Sequence, residues 1–440
     1  MKKTLKRIAV TILLTPFVLL ALGFVAYLLY ALFSIGGEST RHQVYLRQHM
    51  QEIQHGAETS FQLFDQDFYQ SKVIMLGEVH GFAAPQELDF QLLQHLNQKT
   101  GLTHYLAEVD YSQAYFLNQY LLTGDESLLD YVFQTWVEYN AQWANQELYN
   151  KIRNIHTLNQ RLPAADRIQI VGVDRIQDVR VTKRHLQRLL QEANHKPGTH
   201  SALDTLEMLV ADSAQASELQ AFATRHTANP ETLTPYLPQP LQTDLQHVLT
   251  NLQYQHNNVK RDSVMFLNLV HLTKVNKWEN EQFYGMWGLM HTLQNSVNEG
   301  YTSFAAILKK EDSPFKGKVT SINIMATDSE NMIPAASMPP ALHKGQAYIN
   351  TTWVNSDGPL AFVAGIKDLK AVTRPHTTSL FKVDSEASPY RTSSLLAQTN
   401  ILLLGQGIAP DSPNPTITQA CQYIVLIRNS KAATPIEATL

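Results

Sequence analysis

The stretch VIMLGEVHG, Val73–Gly81, joins an apolar run to two ionisable residues, Glu78 and His80. Three later apolar runs also end in polar residues: YLAEVD at Tyr105–Asp110, IQIVGVD at Ile168–Asp174 and FYGMWGLMH at Phe283–His291. If all four runs are parallel strands of one sheet, their polar residues meet at its carboxyl edge, where open α/β sheets bind ligands. The pattern therefore predicts a candidate site that contains Glu78, His80, Glu108, Asp110, Asp174 and His291.

The residues around this stretch predict an α/β fold with a mostly parallel central sheet flanked by helices. Pro85 suits a first helical position, and Gly101 stands where a helix ends, so Val73–Val109 is interpreted as a βαβ unit. Leucines at helical spacing predict a helical insertion at about 178–275. After His291, short β-prone runs predict strands that extend the sheet, with these bounds: Phe304–Leu308, Val319–Ile324, Leu360–Ile366, Ile401–Leu404 and Tyr423–Ile427.

The N-terminus predicts a single transmembrane helix. Residues 1–7 carry four basic side chains and no acidic one, and residues 8–35 carry no charged side chain. The uncharged segment is long enough to cross a bilayer as a helix. We interpret 8–35 as a retained anchor in the inner membrane of the cell. The positive-inside rule then places 1–7 in the cytoplasm. Residues 36–70 are then a stalk, and 71–440 form an α/β domain on the periplasmic or extracytoplasmic side. The alternative is an unusually long cleaved signal peptide.

Charge and cysteine content restrict the function further. Without the four basic residues of the anchor, 31 Lys and Arg face 39 Asp and Glu, a net charge of −8. This balance argues against nucleic acid as a partner, because nucleic-acid binding needs clustered positive charge. Cys421 is the single cysteine, which excludes an intrachain disulfide and a zinc site made of thiolates.

Glu78 and His80 are the first candidates for catalysis. They are two residues apart on a loop that leaves a strand, so both side chains can point the same way. A histidine beside a carboxylate is oriented and kept basic, as a general base that activates water must be. The alternative is that Glu78 caps the helix beginning near Pro85 and His80 only packs.

Glu108, Arg261 and His291 complete the candidate set. Glu108 ends a predicted strand in apolar surroundings, where a carboxylate needs a partner or a solvated cleft. Arg261 begins RDSVMFLN, Arg261–Asn268, and could stabilise an anion or oxyanion in the cleft. Each also has a structural reading, in which Glu108 pairs with an arginine and Arg261 is an ion-paired surface residue. GxSxG, HExxH, P-loop and GxGxxG motifs are absent from the sequence, so a hydrolase here would have to activate water.

These motifs together resemble the erythromycin esterase-like family. The resemblance rests on LGEVHG, on AEVD followed by NQYLLTGD at Asn118–Asp125, on GVD, on RDSVMFLN and on YIVLIRNSKAATP at Tyr423–Pro435. More distantly, GEVH with the later GLMH at Gly288–His291 is similar to the Tiki/TraB and ChaN haem-uptake groups. One departure is that Gly288 stands where the esterase signature has the first of two histidines.

The resemblance implies a hydrolase for ester or amide bonds in a small molecule or peptide. It implies His80 as the base on water, with Glu78 and Glu108 supporting it and His291 and Arg261 completing the site. In the Tiki-type branch, residues matching Glu78, His80, Glu108 and His291 would hold a divalent metal, and this set suits Zn²⁺, Mn²⁺ or Co²⁺. The alternative, from the ChaN-like relatives, is a protein that binds haem or another small ligand without catalysis.

Overall fold

The structure is a computed structural model that describes residues 2–35, 40–54, 60–211, 216–233, 237–338, 345–358, 360–401 and 407–437. Twelve strands are present in these ranges: β1 Met50–Ile53, β2 Val73–Glu78, β3 His104–Asp110, β4 Gln169–Asp174, β5 Phe283–Gly288, β6 Val319–Thr327, β7 Asn331–Pro334, β8 Tyr348–Thr351, β9 Ala361–Val363, β10 Thr378–Lys382, β11 Thr399–Ile401 and β12 Tyr423–Arg428.

The same ranges contain sixteen α-helices. They are α1 Lys2–Ile35, α2 Thr40–Gln48, α3 Gln66–Gln70, α4 Ala84–Thr100, α5 Tyr111–Thr123, α6 Glu126–Glu138, α7 Gln146–Asn159, α8 Val179–Glu192, α9 Ser201–Ala211, α10 Ala216–Ala228, α11 Gln239–His256, α12 Arg261–Val275, α13 Leu289–Thr292, α14 Phe304–Leu308, α15 Ile366–Val372 and α16 Ile417–Ala420.

The central sheet has eight strands in the order β1-β10-β12-β6-β2-β5-β3-β4. From β12 to β4 all neighbours are parallel, whereas β10 and β1 add an antiparallel edge. The expected mostly parallel α/β sheet is thus confirmed. The two strands of the predicted βαβ unit, β2 and β3, are parallel in this sheet, and β5 lies between them.

The strands of the parallel part are buried on both faces, which explains their continuous apolar runs. One apolar cluster lies between the sheet and helices α4 to α7, and it includes Ile74 and Leu76 of β2. Val73 and Met75, the intervening residues, belong to a second cluster that packs under α12 and α14. Successive side chains of β2 therefore pack against helical layers on opposite faces of the sheet. This packing positions the carboxyl end of the strand, where Glu78 lies.

The helical insertion lies where the sequence predicts it, between β4 and β5. Helices α8 to α12 form this segment, and α8 to α11 share an apolar cluster of their own that includes Leu186, Leu206 and Leu249. α12 also packs on β4 and carries Arg261 at its first position, so the insertion contributes directly to the carboxyl edge of the sheet.

The N-terminal segment forms one long apolar helix, α1. By length and composition, Leu14–Phe33 could cross a membrane, with a mean hydropathy of 2.2, and it is almost wholly exposed. After it, α2 packs near α15, and β1 pairs with β10 at the edge of the sheet. Part of the segment 36–70, which was expected to be a stalk, therefore belongs to the folded domain as α2 and β1.

Three of the late β-prone runs differ from the expectation. Phe304–Leu308 is the helix α14, because Ser303 caps it and accepts a hydrogen bond from the backbone N–H of Ala306. β9 is short and pairs with β11 in a separate ribbon, and the chain turns into α15 at Ile366. β11 ends at Ile401, and 402–404 lie outside the described residues.

Candidate active site

The carboxyl edge of the parallel sheet gathers all five residues proposed as catalytic. Glu78 ends β2, His80 follows on the next loop, and Glu108 is near the end of β3. His291 lies in the short helix α13 directly after β5, and Arg261 begins α12 above the same edge. The structure thus brings these five residues together. All of them line one cavity at this edge of the sheet: Glu78, His80, Glu108, Arg261 and His291.

Glu78 and His80 form a hydrogen-bonded pair. The imidazole Nδ1 of His80 lies 3.0 Å from Oε1 of Glu78, whose side chain is buried, while the histidine is 28% exposed. With Nδ1 donating to the carboxylate, Nε2 is left as the acceptor nitrogen. Burial lowers the pKa of His80, but the hydrogen bond to Glu78 and the charges of Glu78 and Glu108 raise it, and the net pKa is above the usual value.

The loop that carries His80 is held by backbone contacts. Asn331 donates from Nδ2 to the carbonyl oxygen of His80 at 2.7 Å, and the backbone N–H of Met332 donates to the carbonyl oxygen of Gly81 at 2.9 Å. Gly81 has φ +96°, and a Cβ there would lie 2.1 Å from the carbonyl oxygen of Met332. Only glycine fits this turn, so the sequence Glu-Val-His-Gly fixes the imidazole beside the sheet edge.

Glu108 is held on the opposite side of the site by a cation and an amide. Nη2 of Arg261 donates to Oε1 of Glu108 at 2.7 Å, and the backbone N–H of Gly288 donates to Oε2 at 2.7 Å. Burial raises the pKa of Glu108, but the positive charges of His291, Arg261 and His80 and the Gly288 amide lower it, and the net pKa is below the usual value.

Arg261 also pairs with Asp174 at the end of β4. The guanidinium Nε and Nη2 lie 2.9 and 2.6 Å from the two carboxylate oxygens of Asp174, which is fully buried. Two carboxylates therefore share one guanidinium, and they raise the pKa of Arg261 although burial lowers it. The structural alternative for Glu108, pairing with an arginine, is therefore observed, and its catalytic role stays a prediction.

His291 is the other histidine at this edge, and an aspartate holds it. Its Nδ1 lies 2.7 Å from Oδ1 of Asp262, and its Nε2 lies 3.5 Å from Oε1 of Glu108. Tyr301 donates from its hydroxyl to Oδ2 of Asp262 at 2.9 Å. Burial lowers the pKa of His291, but the Asp262 hydrogen bond and the charges of Glu108 and Asp262 raise it, and the net pKa is above the usual value.

Asp110 has a structural task at this edge. It is the N-cap of α5, where its Oδ1 accepts the backbone N–H of Gln113, and its Oδ2 accepts the backbone N–H of Gln177. Burial raises its pKa to about 7. Glu78, by contrast, does not cap α4, because that helix starts after Ala83 without a side-chain cap.

Two cavities meet at the Glu78–His80 pair. The larger, of about 450 Å³, has His80, Glu108, Arg261 and His291 at one end. The smaller, of about 80 Å³, runs from Glu78 and His80 toward Lys151, between the sheet and helices α4 to α7. Among the described residues, five buried polar atoms of its lining residues have no hydrogen-bond partner in the protein: Oε2 of Glu78, Oε1 of Gln86, Nε1 of Trp136, Oε1 of Gln177 and Nε1 of Trp287. Polar groups of a ligand or water can pair with these atoms.

The residues proposed as metal ligands, Glu78, His80, Glu108 and His291, do not fit a metal site in this arrangement. The guanidinium of Arg261 is bonded to Glu108, so a second cation there would meet a fixed positive charge. Within the described part of the chain, the three potential ligand atoms found within 4.8 Å of one another belong to His195, Asp204 and Glu207 of the helical insertion.

Sequence reasoning missed several residues of the site. Asp262 follows Arg261 in the motif RDSVMFLN, and its acidic side chain in the first turn of α12 was the available signal. Its partner His291 is 29 positions later, so only the fold shows the pair. Trp143, whose ring lies 5.7 Å from that of His80, and Tyr301 had no signal in the sequence.

Solved structures with the same architecture are found by comparison. A Bacillus cereus protein aligns with a TM-score of 0.65 at 13% identity, over 91% of this chain and 100% of its own. A succinoglycan biosynthesis protein aligns at 0.59 and 13% identity over the same shares. A mutant of the erythromycin esterase EreC in its open conformation aligns at 0.56 and 14% identity, over 85% of this chain and 94% of that one. The chain has the fold of erythromycin esterase. No protein-family model and no curated protein matches its sequence.

Proposed function

We propose that this protein is a membrane-anchored hydrolase that cleaves an ester or amide bond with a water molecule activated by His80. The observation that carries the proposal is the position of Nε2 of His80. The place that a Cβ would take at Gly288 is 3.2 Å from this nitrogen and 3.5 Å from Oε2 of Glu108. Because residue 288 has no side chain, the space between Nε2 of His80 and Oε2 of Glu108 stays open, and we propose that a water molecule lies there within reach of both groups.

The proposed reaction starts with this water. His80 takes a proton on Nε2 while the water oxygen attacks the carbonyl carbon, and Glu78 stabilises the imidazolium that forms through its hydrogen bond to Nδ1. Glu108 accepts a hydrogen bond from the same water and holds its orientation. Collapse of the tetrahedral intermediate releases the alcohol or amine, which receives the proton from His80.

Positive charge at the other side of Glu108 is proposed to stabilise the oxyanion. The Asp262 hydrogen bond and the charges of Glu108 and Asp262 raise the pKa of His291 although burial lowers it, which favours its charged form. Arg261 is fixed by Asp174, so its orientation does not change during the reaction. Donors held in place before the reaction stabilise developing negative charge without reorganisation.

We propose further that α1 is retained as an anchor, with the domain on the extracytoplasmic side. Its apolar span is almost wholly exposed, yet Ala31 near its end is buried against the domain. A reporter that is active only in the periplasm, fused after Gly37, should be active while the protein stays in the membrane fraction. A shortened soluble form in the periplasm would mean that the helix is a cleaved signal.

A panel of ester and peptide substrates tests the reaction. The full chain in detergent should hydrolyse at least one ester or amide, and Glu108→Gln should lose activity because an amide neither pairs with Arg261 as an ion nor orients the water as a carboxylate does. Glu207→Gln, a matched change outside the site, should stay active. A purified protein with a Soret absorption band and no turnover would support the haem-binding alternative instead.

Metal analysis needs its own control because of the His195 cluster. Under this proposal, a chelator leaves wild-type turnover unchanged, and a divalent metal bound at the His195 cluster would be lost in His195→Ala and retained in His80→Ala. Turnover that disappears with a chelator and returns with Zn²⁺, Mn²⁺ or Co²⁺ in the His195→Ala variant would show instead that the site residues bind the metal.

A further inference from the structure

The larger cavity combines the polar catalytic residues with a mostly apolar lining. His80 and Glu108 form its polar end, and most of the remaining lining residues are aliphatic, Met325, Ile333 and Val354 among them. The other polar lining residues are Gln142, Asn331, Ser337, Asn355, Ser356 and Thr399. Its volume of about 450 Å³ lies in the usual range for pockets that enclose a small-molecule ligand. A molecule with one polar and one apolar end matches this distribution.

One wall of this cavity separates it from the N-terminal helix. Ala361 and Val363 of β9 line the cavity, and the residue between them, Phe362, contacts α1. The ring of Phe362 lies 6.0 Å from that of Tyr27 and 5.8 Å from that of Tyr30. Because side chains alternate along a strand, the thickness of one strand divides the cavity from the helix.

The wall and the helix also belong to one continuous apolar cluster. Ala31 of α1 is 3% exposed and shares this cluster with Met325, Val363 and Ile408, all three of which line the cavity. No polar layer therefore lies between the membrane-spanning segment and the cavity along this path of described residues.

The contact lies at the end of the apolar span. Tyr27, Tyr30 and Ala31 are within the last seven residues of Leu14–Phe33, which is about 10 Å of helix. Tyrosines at the ends of membrane helices lie at the level of the lipid headgroups. With α1 as the proposed anchor, the cavity wall lies near the surface of the bilayer that α1 enters.

We infer that the substrate is an amphiphilic ester with a fatty-acyl chain, taken up from the membrane surface. This inference rests on the proposed hydrolase function and on α1 as an anchor. The acyl chain fills the apolar part of the larger cavity, and its carbonyl lies at the polar end beside Nε2 of His80. The apolar lining replaces the lipid environment of the chain, so the substrate passes from the bilayer to the site without exposing its tail to water.

A series of acyl esters of one alcohol, from acetate to decanoate, tests the inference on the full chain in phosphatidylcholine vesicles. The value of kcat/KM should rise with chain length, by up to about fourfold for each methylene buried, until the cavity is full. A profile that is flat or falls with length, with acetate still hydrolysed, would overturn this inference and leave the proposed reaction intact. Failure to hydrolyse every ester would overturn the proposed function itself.

Variants that fill the cavity give a second measurement. Ala361→Leu and Ala326→Leu both add side-chain volume to the lining, and each should lower the ratio of kcat/KM for decanoate to that for acetate at least tenfold. Ala221→Leu, at an exposed alanine of α10, is the matched control and should leave the ratio unchanged. An unchanged ratio in either folded cavity variant would contradict the assignment.

The route by which the substrate reaches the site is tested by placing the ester either in the same vesicles as the protein or in separate vesicles. A fluorogenic oleate ester should be hydrolysed faster when it shares a vesicle with the protein than when it is in separate vesicles mixed with it. Equal rates would show that the ester reaches the site through water, and this would refute uptake from the membrane.

Discussion

Removal of the guanidinium of Arg261 should destabilise the domain strongly, because it leaves two carboxylates without their shared cation. Asp174 is fully buried, Glu108 is 16% exposed and Arg261 is 30% exposed. Loss of one partner from a buried ion pair costs about 3–5 kcal/mol, and the partial exposure of Arg261 places Arg261→Met near the lower end. Urea unfolding of the full chain in detergent, followed by tryptophan fluorescence, measures this cost.

Arg180 provides a matched control, since it also contacts two carboxylates, Asp178 and Glu138, but is 48% exposed. Arg180→Met should cost only about 1 kcal/mol, because Arg180 and Glu138 are about half exposed and the buried Asp178 keeps its hydrogen bond from the backbone N–H of residue 180. An equal, small cost for Arg261→Met and Arg180→Met would refute the reasoning.

The dependence of this cost on pH has a defined sign. The pKa of Glu108 is lower in the folded protein than its ordinary value of 4.5, so its ion pair contributes stability above that value and loses it as the pH falls through the lowered pKa. Arg261→Met removes one cause of the lowering. Its cost should therefore be largest near neutral pH and should shrink at pH 4. A cost that grows on acidification would contradict the charge assignment.

Three further predictions concern the site and the core. Glu78→Gln should move the acid limb of kcat/KM to lower pH, because the carboxylate raises the pKa of His80; an unmoved limb would argue against the pair. Gly288→Ala should fold normally but lose turnover on the order of 10²-fold, since its Cβ would narrow the space beside Nε2 of His80 and Oε2 of Glu108 where the water is proposed; wild-type turnover would argue against a water held between these two groups. Cys421→Ser should keep most activity and cost about 1 kcal/mol in urea unfolding, as an ordinary buried substitution does; abolished turnover in a folded variant would point to a thiol mechanism.

The sequence predicts the strands that carry the site because each is a continuous apolar run that ends in a polar residue. It does not predict their order, since β5 inserts between β2 and β3 from a position more than 170 residues after His104. Order depends on which helices cover which face, and no local pattern encodes that. The helix α14 was missed because Phe304–Leu308 is too short to show a helical period.

The site was predictable to the extent that its residues adjoin strand ends. Glu78, His80 and Glu108 could be named from the sequence, whereas Asp262 could not be paired with His291 across 29 positions. The apolar wall of the larger cavity comes from β6, β7, β9 and β11, all more than 230 residues after His80. Their convergence on the site depends on tertiary packing alone.

The turnover of His80→Ala is the most direct test of the account. If His80 is the general base, turnover on any substrate of the wild type should fall on the order of 10²–10⁴-fold, while the urea unfolding curve shows a folded domain. The wild-type activity should be lost on the acid side with a midpoint above 6.5, because the pKa of His80 is raised above that ordinary value. His271→Ala, which changes a histidine of α12 outside both cavities, should keep wild-type turnover. Full activity in His80→Ala would contradict the assigned mechanism.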